Sequence, residues 1–363
     1  MTEKTYLIKL DFQSPLHLGE PGAGMERTLT YIPSDTLFSA LCNAWALIYG
    51  KGELEDLLQR FGQDAPFRLS SAFPRLTIEG NGQQEDIFYL PKPLMPPRLP
   101  KPGDSEENQR EKNKEYLDKA LKRTNGYLNL EFFNEWITHP FLPPVQAYKS
   151  LELASLLFHL VYNKTLLARV SLDRRSSQST LFFCQLAKFG TRHFVQGRKE
   201  AKATGGLFCL LRTIDETVAN RLSSCFTILG EQGIGGERSV GCGRFKADWK
   251  SGDNLVAQTE LPGKGYMTLS LYHPSLSERD LIKNRLSGSP LPLIGYELIR
   301  TGGWIDSPFI TRPQRKAGRF MFREGSVFSF EPKGEIVDVT PTPNPGVHPV
   351  YRNGIAFSVG VVL

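Results

Sequence analysis

A strand, loop and helix that occur twice in the same order restrict the fold of this chain more than any other feature. Tyr6, Ile8, Leu10 and Phe12 alternate with Leu7, Lys9, Asp11 and Gln13, the period-2 pattern of a strand with one buried face. Residues 14–33 form a loop holding Gly19, Gly22 and Gly24. Ser34 then stands where an N-cap would, with Asp35 in the first turn. Leu37, Leu41, Trp45 and Ile48 recur at helical spacing until Gly50 and Gly52 stop the run. About 200 residues later, Leu207 to Leu211 reads as a strand and Asp215 as a cap; Val218, Leu222, Phe226 and Leu229 form the apolar stripe before Gly230. This order points to an internal duplication.

The later strands are Met267, Leu269 and Leu271 on one face, then Val327 to Phe330, then Ile355, Phe357, Val359 and Val361. They do not interleave with helices at the pace of a doubly wound parallel sheet. The expected class is α+β, with two ferredoxin-like (RRM-like) domains whose sheets are mainly antiparallel. A length of 363 residues agrees with two domains. The first is expected over 1–204, with insertions at about 95–125 and about 165–200, and the second over 205–363. Pro91 to Pro102 reads as an extended loop, Asp104 to Arg123 as an exposed helix or mobile insertion, and Leu151 to Tyr162 as a packed helix.

The net charge of +6 is modest, but its distribution is not. Arg169, Arg174, Arg175, Lys188, Arg192, Arg198, Lys199 and Lys202 face only Asp173 and Glu200 in their stretch, and Arg312, Arg315, Lys316, Arg319 and Arg323 form a second block with no acid. Charge gathered in this way suits a phosphate backbone, since each neutralised phosphate releases a condensed counterion; alternatively, both blocks are solvated faces. The five cysteines include no C-x-x-C pair and no histidine at metal-ligand spacing, so neither a disulfide framework nor a zinc site is expected. A reducing cytoplasm is the expected location. The opening residues lack a signal-peptide core, and no apolar run is long enough to span a membrane.

The glycine-rich stretch 230–245 is the most distinctive local feature. It contains Gly233, Gly235, Gly236, Arg238, Ser239, Gly241 and Arg244. Glycines permit positive φ and let backbone N–H groups approach phosphate, while the two arginines add charge. As a Rossmann fingerprint it fails at Arg238, and as a Walker loop it fails at Cys242. A plain hairpin between helix and strand is the competing reading. His17, between Leu16 and Leu18, has the near-neutral pKa of a general acid or base for metal-free RNA cleavage, yet no second catalytic group stands at a telling spacing. A packing or RNA-contacting role is favoured for it. There is no G-x-S-x-G elbow, H-E-x-x-H pair, paired-aspartate palm motif or carboxylate cluster for a metal-dependent nuclease.

These residues together carry a resemblance. Leu16-His17-Leu18-Gly19, the run Ile32-Pro33-Ser34-Asp35-Thr36-Leu37, and the stretch from Gly233 to Phe245 resemble the RAMP superfamily of CRISPR-associated proteins. Ser70-Ser71-Ala72-Phe73-Pro74, Tyr89-Leu90-Pro91-Lys92-Pro93, Leu172-Asp173-Arg174 and His348-Pro349-Val350-Tyr351-Arg352-Asn353-Gly354 narrow this to RAMP subunits of type III-A (Csm) effector complexes. Their shared order along nearly the whole chain makes the resemblance specific. It implies two RRM-like domains across an RNA-binding cleft, a glycine-rich loop reaching the RNA, and a thumb-like hairpin around Leu172 to Thr180.

The resemblance further implies a non-catalytic subunit, without a cofactor or bound metal, that binds the 5′ handle of crRNA. Its partners would be the large palm-domain subunit and the adjacent backbone RAMP subunit. The residues expected at RNA are His17, Gly19, Ser34, Asp35, Arg174, Arg175, Gly233, Gly235, Gly236, Arg238, Ser239, Gly241, Arg244, Arg312, Lys316 and Arg319. Neither domain shows the aromatic RNP1 pattern, so loops and the inter-domain cleft, not a sheet face, are expected to hold the RNA. Three alternatives stay open: an endoribonuclease that processes crRNA precursors, the equivalent subunit of a type III-B (Cmr) complex, and a pure protein adaptor.

Overall fold

The computed structural model describes residues 3–363 apart from 21–22, 81, 96–106, 139–144, 197–198, 253–254, 256–263, 287–292, 308–313 and 343–347. The chain opens with β1 (Lys4–Phe12), α1 (Ser34–Tyr49), α2 (Lys51–Arg60), β2 (Arg68–Leu69), β3 (Phe73–Gly80) and β4 (Gln83–Pro91). Next come α3 (Glu107–Thr124), β5 (Tyr127–Asn129), α4 (Leu130–Thr138) and α5 (Val145–Val161). Four strands follow, β6 (Tyr162–Leu172), β7 (Ser179–Phe189), β8 (Thr191–Gln196) and β9 (Lys199–Thr213), then α6 (Glu216–Gln232) and β10 (Phe245–Ser251).

The first sheet runs β10-β1-β9-β3-β4-β5, with β2 and β8 also paired to β9. Every pairing is antiparallel. β1 and β3 flank β9, while β9 and β10 flank β1, so two βαβ units interlock, one through α1 and one through α6. The two strand–helix units of the sequence are therefore halves of one sheet, and the expected boundary at 204 is corrected. It falls inside β9, which is hydrogen-bonded to β1 on one side and β3 on the other. Local pattern reveals each strand and helix but not that β1 and β9 are neighbours.

The second sheet is built from β11 (Lys264–Thr268), β12 (Leu293–Gly295), β15 (Val327–Phe328) and β18 (Ser358–Val362), in the order β12-β15-β11-β18. Between its strands lie α7 (Leu276–Leu286), the paired β13 (Leu298–Thr301) and β14 (Arg319–Phe322), and the paired β16 (Ile336–Asp338) and β17 (Tyr351–Asn353).

Alternation on β1 explains the layers. Ile8 and Leu10, fully buried, pack with Leu37, Leu41, Val218, Leu222 and Phe226 of α1 and α6. Leu7 points to the opposite core, shared by α3, α4, α5, the second-sheet residues Met267, Val327 and Val359, and Leu269 just after β11. Each such buried side chain contributes about 1.5–3 kcal/mol. Lys9, expected on a solvated face, is only 5% exposed. It pairs with Asp86, which also receives Arg75 at 3.0 Å and Thr77 Oγ1 at 2.7 Å. Burial raises the Asp86 pKa, but the hydrogen bonds from Lys9 and Thr77 and the Arg75 charge outweigh it and hold the carboxyl below its ordinary value. Asp104 to Arg123 is largely helix α3, and its Leu117 and Ala120 are buried. The proline-rich stretch from residue 96 onward lies outside the described residues.

Candidate nucleic-acid interface

Helix α6 begins as its sequence demands, with Asp215 Oδ1 accepting from the Thr217 and Val218 N–H groups at 3.0 and 3.2 Å. It ends at Gly233, whose φ of 81° turns the chain into the glycine-rich loop. The loop is closed on itself and on the segment after β1. Ile234 N–H donates to Gly243 O (3.0 Å), Gly236 N–H to His17 O (2.8 Å) and Gly243 N–H to Pro15 O (2.8 Å). A Cβ on Gly235 would lie 2.3 Å from His17 O, and one on Gly243 2.0 Å from Ile234 O, so these glycines are required by close packing.

The same segment after β1 is stitched to β7. Leu16 and Ala187 exchange backbone hydrogen bonds of 2.9 and 2.8 Å, and His17 Nδ1 lies 2.8 Å from Gln185 O. His17 is 6% exposed, a packed imidazole bracing three segments. The tip of the glycine-rich loop faces solvent, with Arg238, Ser239, Val240 and Gly241 exposed, as are Gly236 and Arg244 on its flanks. Arg238 pairs with Asp306 at 2.6 Å and Arg244 with Glu231 at 2.9 Å. Exposed pairs of this kind contribute at most about 1 kcal/mol, so a phosphate can displace the carboxylates. Gly19 is exposed beside the loop and bridges Thr28.

β6 and β7 form a long hairpin in continuous register from Tyr162↔Phe189 to Leu172↔Ser179. Its base is anchored where Cys184 and Leu186 pack with Cys242 of the glycine-rich loop, and Arg169 lies 3.9 Å from Glu237. At the tip, Asp173 accepts from Arg175 N–H (2.8 Å) and Ser176 Oγ (2.7 Å), fixing the turn and leaving both Arg174 and Arg175 exposed. Neither arginine forms an ion pair among the described residues. Leu166, Val170, Leu172, Leu181 and Phe183 are exposed on the hairpin.

Other expected RNA contacts are placed elsewhere. Ser34 is fully buried and caps nothing in its own helix. Its Oγ accepts from Leu271 N–H at 3.0 Å, and its N–H donates to Ser71 Oγ at 2.9 Å. Asp35 is buried in an ion pair with Arg352. Lys316 Nζ reaches Ser39 Oγ at 3.5 Å; burial lowers its pKa, against the opposing pull of Asp35. These three side chains are engaged in the packing of α1 against the C-terminal region, Ser34 and Asp35 buried and Lys316 partly so. Arg319 donates to the backbone carbonyls of Gly318 and Asp338, both at 3.2 Å. Arg312 and Arg198 lie outside the described residues. Among the described residues, no group of three or more His, Cys, Asp or Glu could hold a metal ion, and no helix is long and apolar enough to cross a membrane.

Sequence reasoning missed Arg352, Glu324 and the exposed aromatics Trp304 and Phe320. Glu324 is 4% exposed, with Oε1 bound to Ser71 Oγ and Oε2 without a partner. Aromatics separated from arginines along the chain gave only a charge block, since their pairing across β13 and β14 is not visible in sequence.

With strand order, loop and hairpin established, residues 9–246 match the RAMP superfamily, and the chain belongs to that family. Residues 262–361 match the CRISPR Csm4 C-terminal domain. The full length is Csm4-like: the CRISPR system Cms protein Csm4 of Thermococcus onnurineus is 27% identical over 336 residues, 91% of each chain. That of Methanocaldococcus jannaschii is 23% identical over 93% of this chain and 89% of its own. Among solved structures, a type III-B Cmr-beta bound to cognate target RNA and AMPPnP aligns with 90% of this chain and 86% of that chain, at 16% identity and a TM-score of 0.38.

Proposed function

We propose that this chain is the non-catalytic RNA-binding subunit of a type III-A CRISPR (Csm) effector complex. It holds the 5′ handle of crRNA and joins the large palm-domain subunit to the adjacent backbone RAMP subunit. Family membership and the Csm4 relatives support the complex. The observation that carries RNA binding is the joint formed by Pro15 to Leu18, Gln185 to Ala187 and the glycine-rich loop, from which a hairpin extends to unpaired Arg174 and Arg175. Such a scaffold presents guanidinium groups and a small-residue loop tip to an unpaired strand while its base stays rigid. The ferredoxin-like reading of both sheets is supported by a shared strand order: numbered along the chain, the four strands β10-β1-β9-β3 of the first sheet and the four strands of the second both run 4-1-3-2.

The exposed apolar side chains of the hairpin, from Leu166 to Phe183, suit the neighbouring backbone subunit. The non-catalytic reading is supported by His17, whose burial and contact with Gln185 O keep its imidazole from facing solvent as a general base. Incubating the purified chain with precursor crRNA, mature crRNA and a handle-deleted guide tests this. Binding that prefers the handle, with no cleavage, is expected; cleavage lost in His17→Ala returns the processing nuclease.

A further inference from the structure

We infer that β13 and β14 form a stacking platform for unpaired nucleobases, separate from the glycine-rich loop but adjoining it. The two strands pair from Leu298↔Phe322 to Thr301↔Arg319, and a bridge between Trp304 and Arg315 extends the ribbon beyond them. Lys316 N–H donates to Gly303 O at 2.9 Å across it. Two aromatic rings that contribute little to the core stand here: Phe320 is 62% exposed and Trp304 57%. Folding gains little by holding either ring in water.

Each ring is matched with a guanidinium. Arg300 lies directly across from Phe320 in the register. The Arg315 guanidinium carbon sits 4.9 Å from the centroid of the Trp304 ring. Among the described residues, Arg300, Arg315 and Arg319 form no ion pair, and Arg319 spends its donors on backbone carbonyls. Between 298 and 323 the only acid is Asp306, already held by Arg238. The nearby Glu297 is taken by Arg323 at 2.9 Å.

This chemistry selects the ligand. A protein partner covering the rings would have to bring its own carboxylates to these arginines, since the acids beside the ribbon in this chain are already engaged. Single-stranded RNA satisfies both features at once, with base faces on Phe320 and Trp304 and phosphates on Arg300 and Arg315. The ion pair between Arg238 and Asp306, two residues beyond Trp304, places the ribbon beside the tip of the glycine-rich loop. The platform rests on the RNA-binding reading only for its choice of RNA over DNA.

The test uses the full-length chain and a fluorescently labelled single-stranded RNA containing 2-aminopurine, beside the same RNA with abasic positions and the same RNA made duplex. Phe320→Ala and Trp304→Ala should each weaken single-strand binding about 5- to 100-fold and lose the quenching of 2-aminopurine. Phe320→Tyr should restore both. With abasic RNA the variants should bind as wild type does. Both side chains are exposed, so thermal midpoints should stay unchanged. Equal loss on abasic RNA, or no loss on intact RNA, overturns the platform; so does retained RNA binding with lost assembly onto partner subunits, which makes the ribbon a protein face. Loss in Arg174→Ala/Arg175→Ala with none in the ribbon variants overturns the platform while sparing the proposed function. Handle-independent binding that still needs Phe320 does the reverse.

Discussion

The Asp35 carboxylate and the Arg352 guanidinium form an ion pair across 317 positions of sequence, with side chains only 8% and 4% exposed. It ties the first turn of α1 to β17, and so joins the region of the first sheet to that of the second. Arg352 also donates to Gly302 O at 2.8 Å, while its Nε has no partner.

Removing one partner leaves the other as an uncompensated buried charge. Asp35→Ala should therefore cost about 3–5 kcal/mol, well above the loss in Asp35→Leu/Arg352→Met, where both charges leave together. Urea denaturation decides it through the midpoint at constant slope. Equal losses in the two variants would show that packing, not the pair, carries the joint.

Within the glycine-rich loop, substitutions should separate by position. Gly243→Ala places a methyl group 2.0 Å from Ile234 O at a φ of 78°, so the loop must open, at several kcal/mol and with reduced soluble yield. Gly241 also has positive φ, 87°, but open space around it, so Gly241→Ala should cost only the left-handed penalty of about 1–2 kcal/mol. Thermal unfolding of both variants measures the gap. Handle affinity is meaningful only in variants such as Gly241→Ala that keep the loop closed.

The legibility of this chain divides along physical lines. Period-2 and period-3.6 patterns revealed β1, α1 and α6, and Asp215 as a cap, because these are set by residues a few positions apart. Ser34 was read as a cap by the same logic, but its hydroxyl goes to Leu271 N–H, 237 positions away. The boundary at 204 failed for a similar reason, since it depends on which distant strands pair with the two edges of β9. The resemblance was legible because its motifs are local; their exposure was not. Of the loop residues, Arg238, Ser239, Gly241 and Arg244 are exposed, whereas Gly233 is buried.

Glu324 supplies a pH dependence. Burial pushes its carboxyl up from the ordinary 4.5 to about 6, with the Ser71 hydrogen bond and the Arg323 charge opposing. A carboxyl whose folded pKa is raised binds its proton more tightly when folded. Its contribution is thus fully present below about 4.5 and is lost as pH rises through about 6. Glu324→Gln should gain about 2 kcal/mol on wild type between pH 4.5 and pH 7, from about 1.5 units at 1.36 kcal/mol each. Denaturant titrations at both pH values test this; a constant difference would remove Glu324 as the source.

The hairpin arginines give the last prediction, because their geometry assigns them no structural task. Asp173 holds the turn through the Arg175 backbone N–H and the Ser176 hydroxyl, so both guanidinium groups can be removed without touching the bonds that close it. Arg174→Ala/Arg175→Ala should leave thermal stability unchanged within about 0.5 kcal/mol. If each guanidinium neutralises one phosphate of an unpaired strand, the log–log dependence of RNA affinity on salt should flatten by about 0.7 per residue, or about 1.4 for the double variant. The loss should be largest at low salt and shrink as salt rises, and it should be the same for handle and scrambled RNA, since phosphates carry no sequence. Affinity measured across a salt series with both RNAs gives slope and specificity together. An unchanged slope would put the hairpin tip outside the RNA path, and a loss confined to the native handle would mean that Arg174 or Arg175 reads bases instead of phosphates.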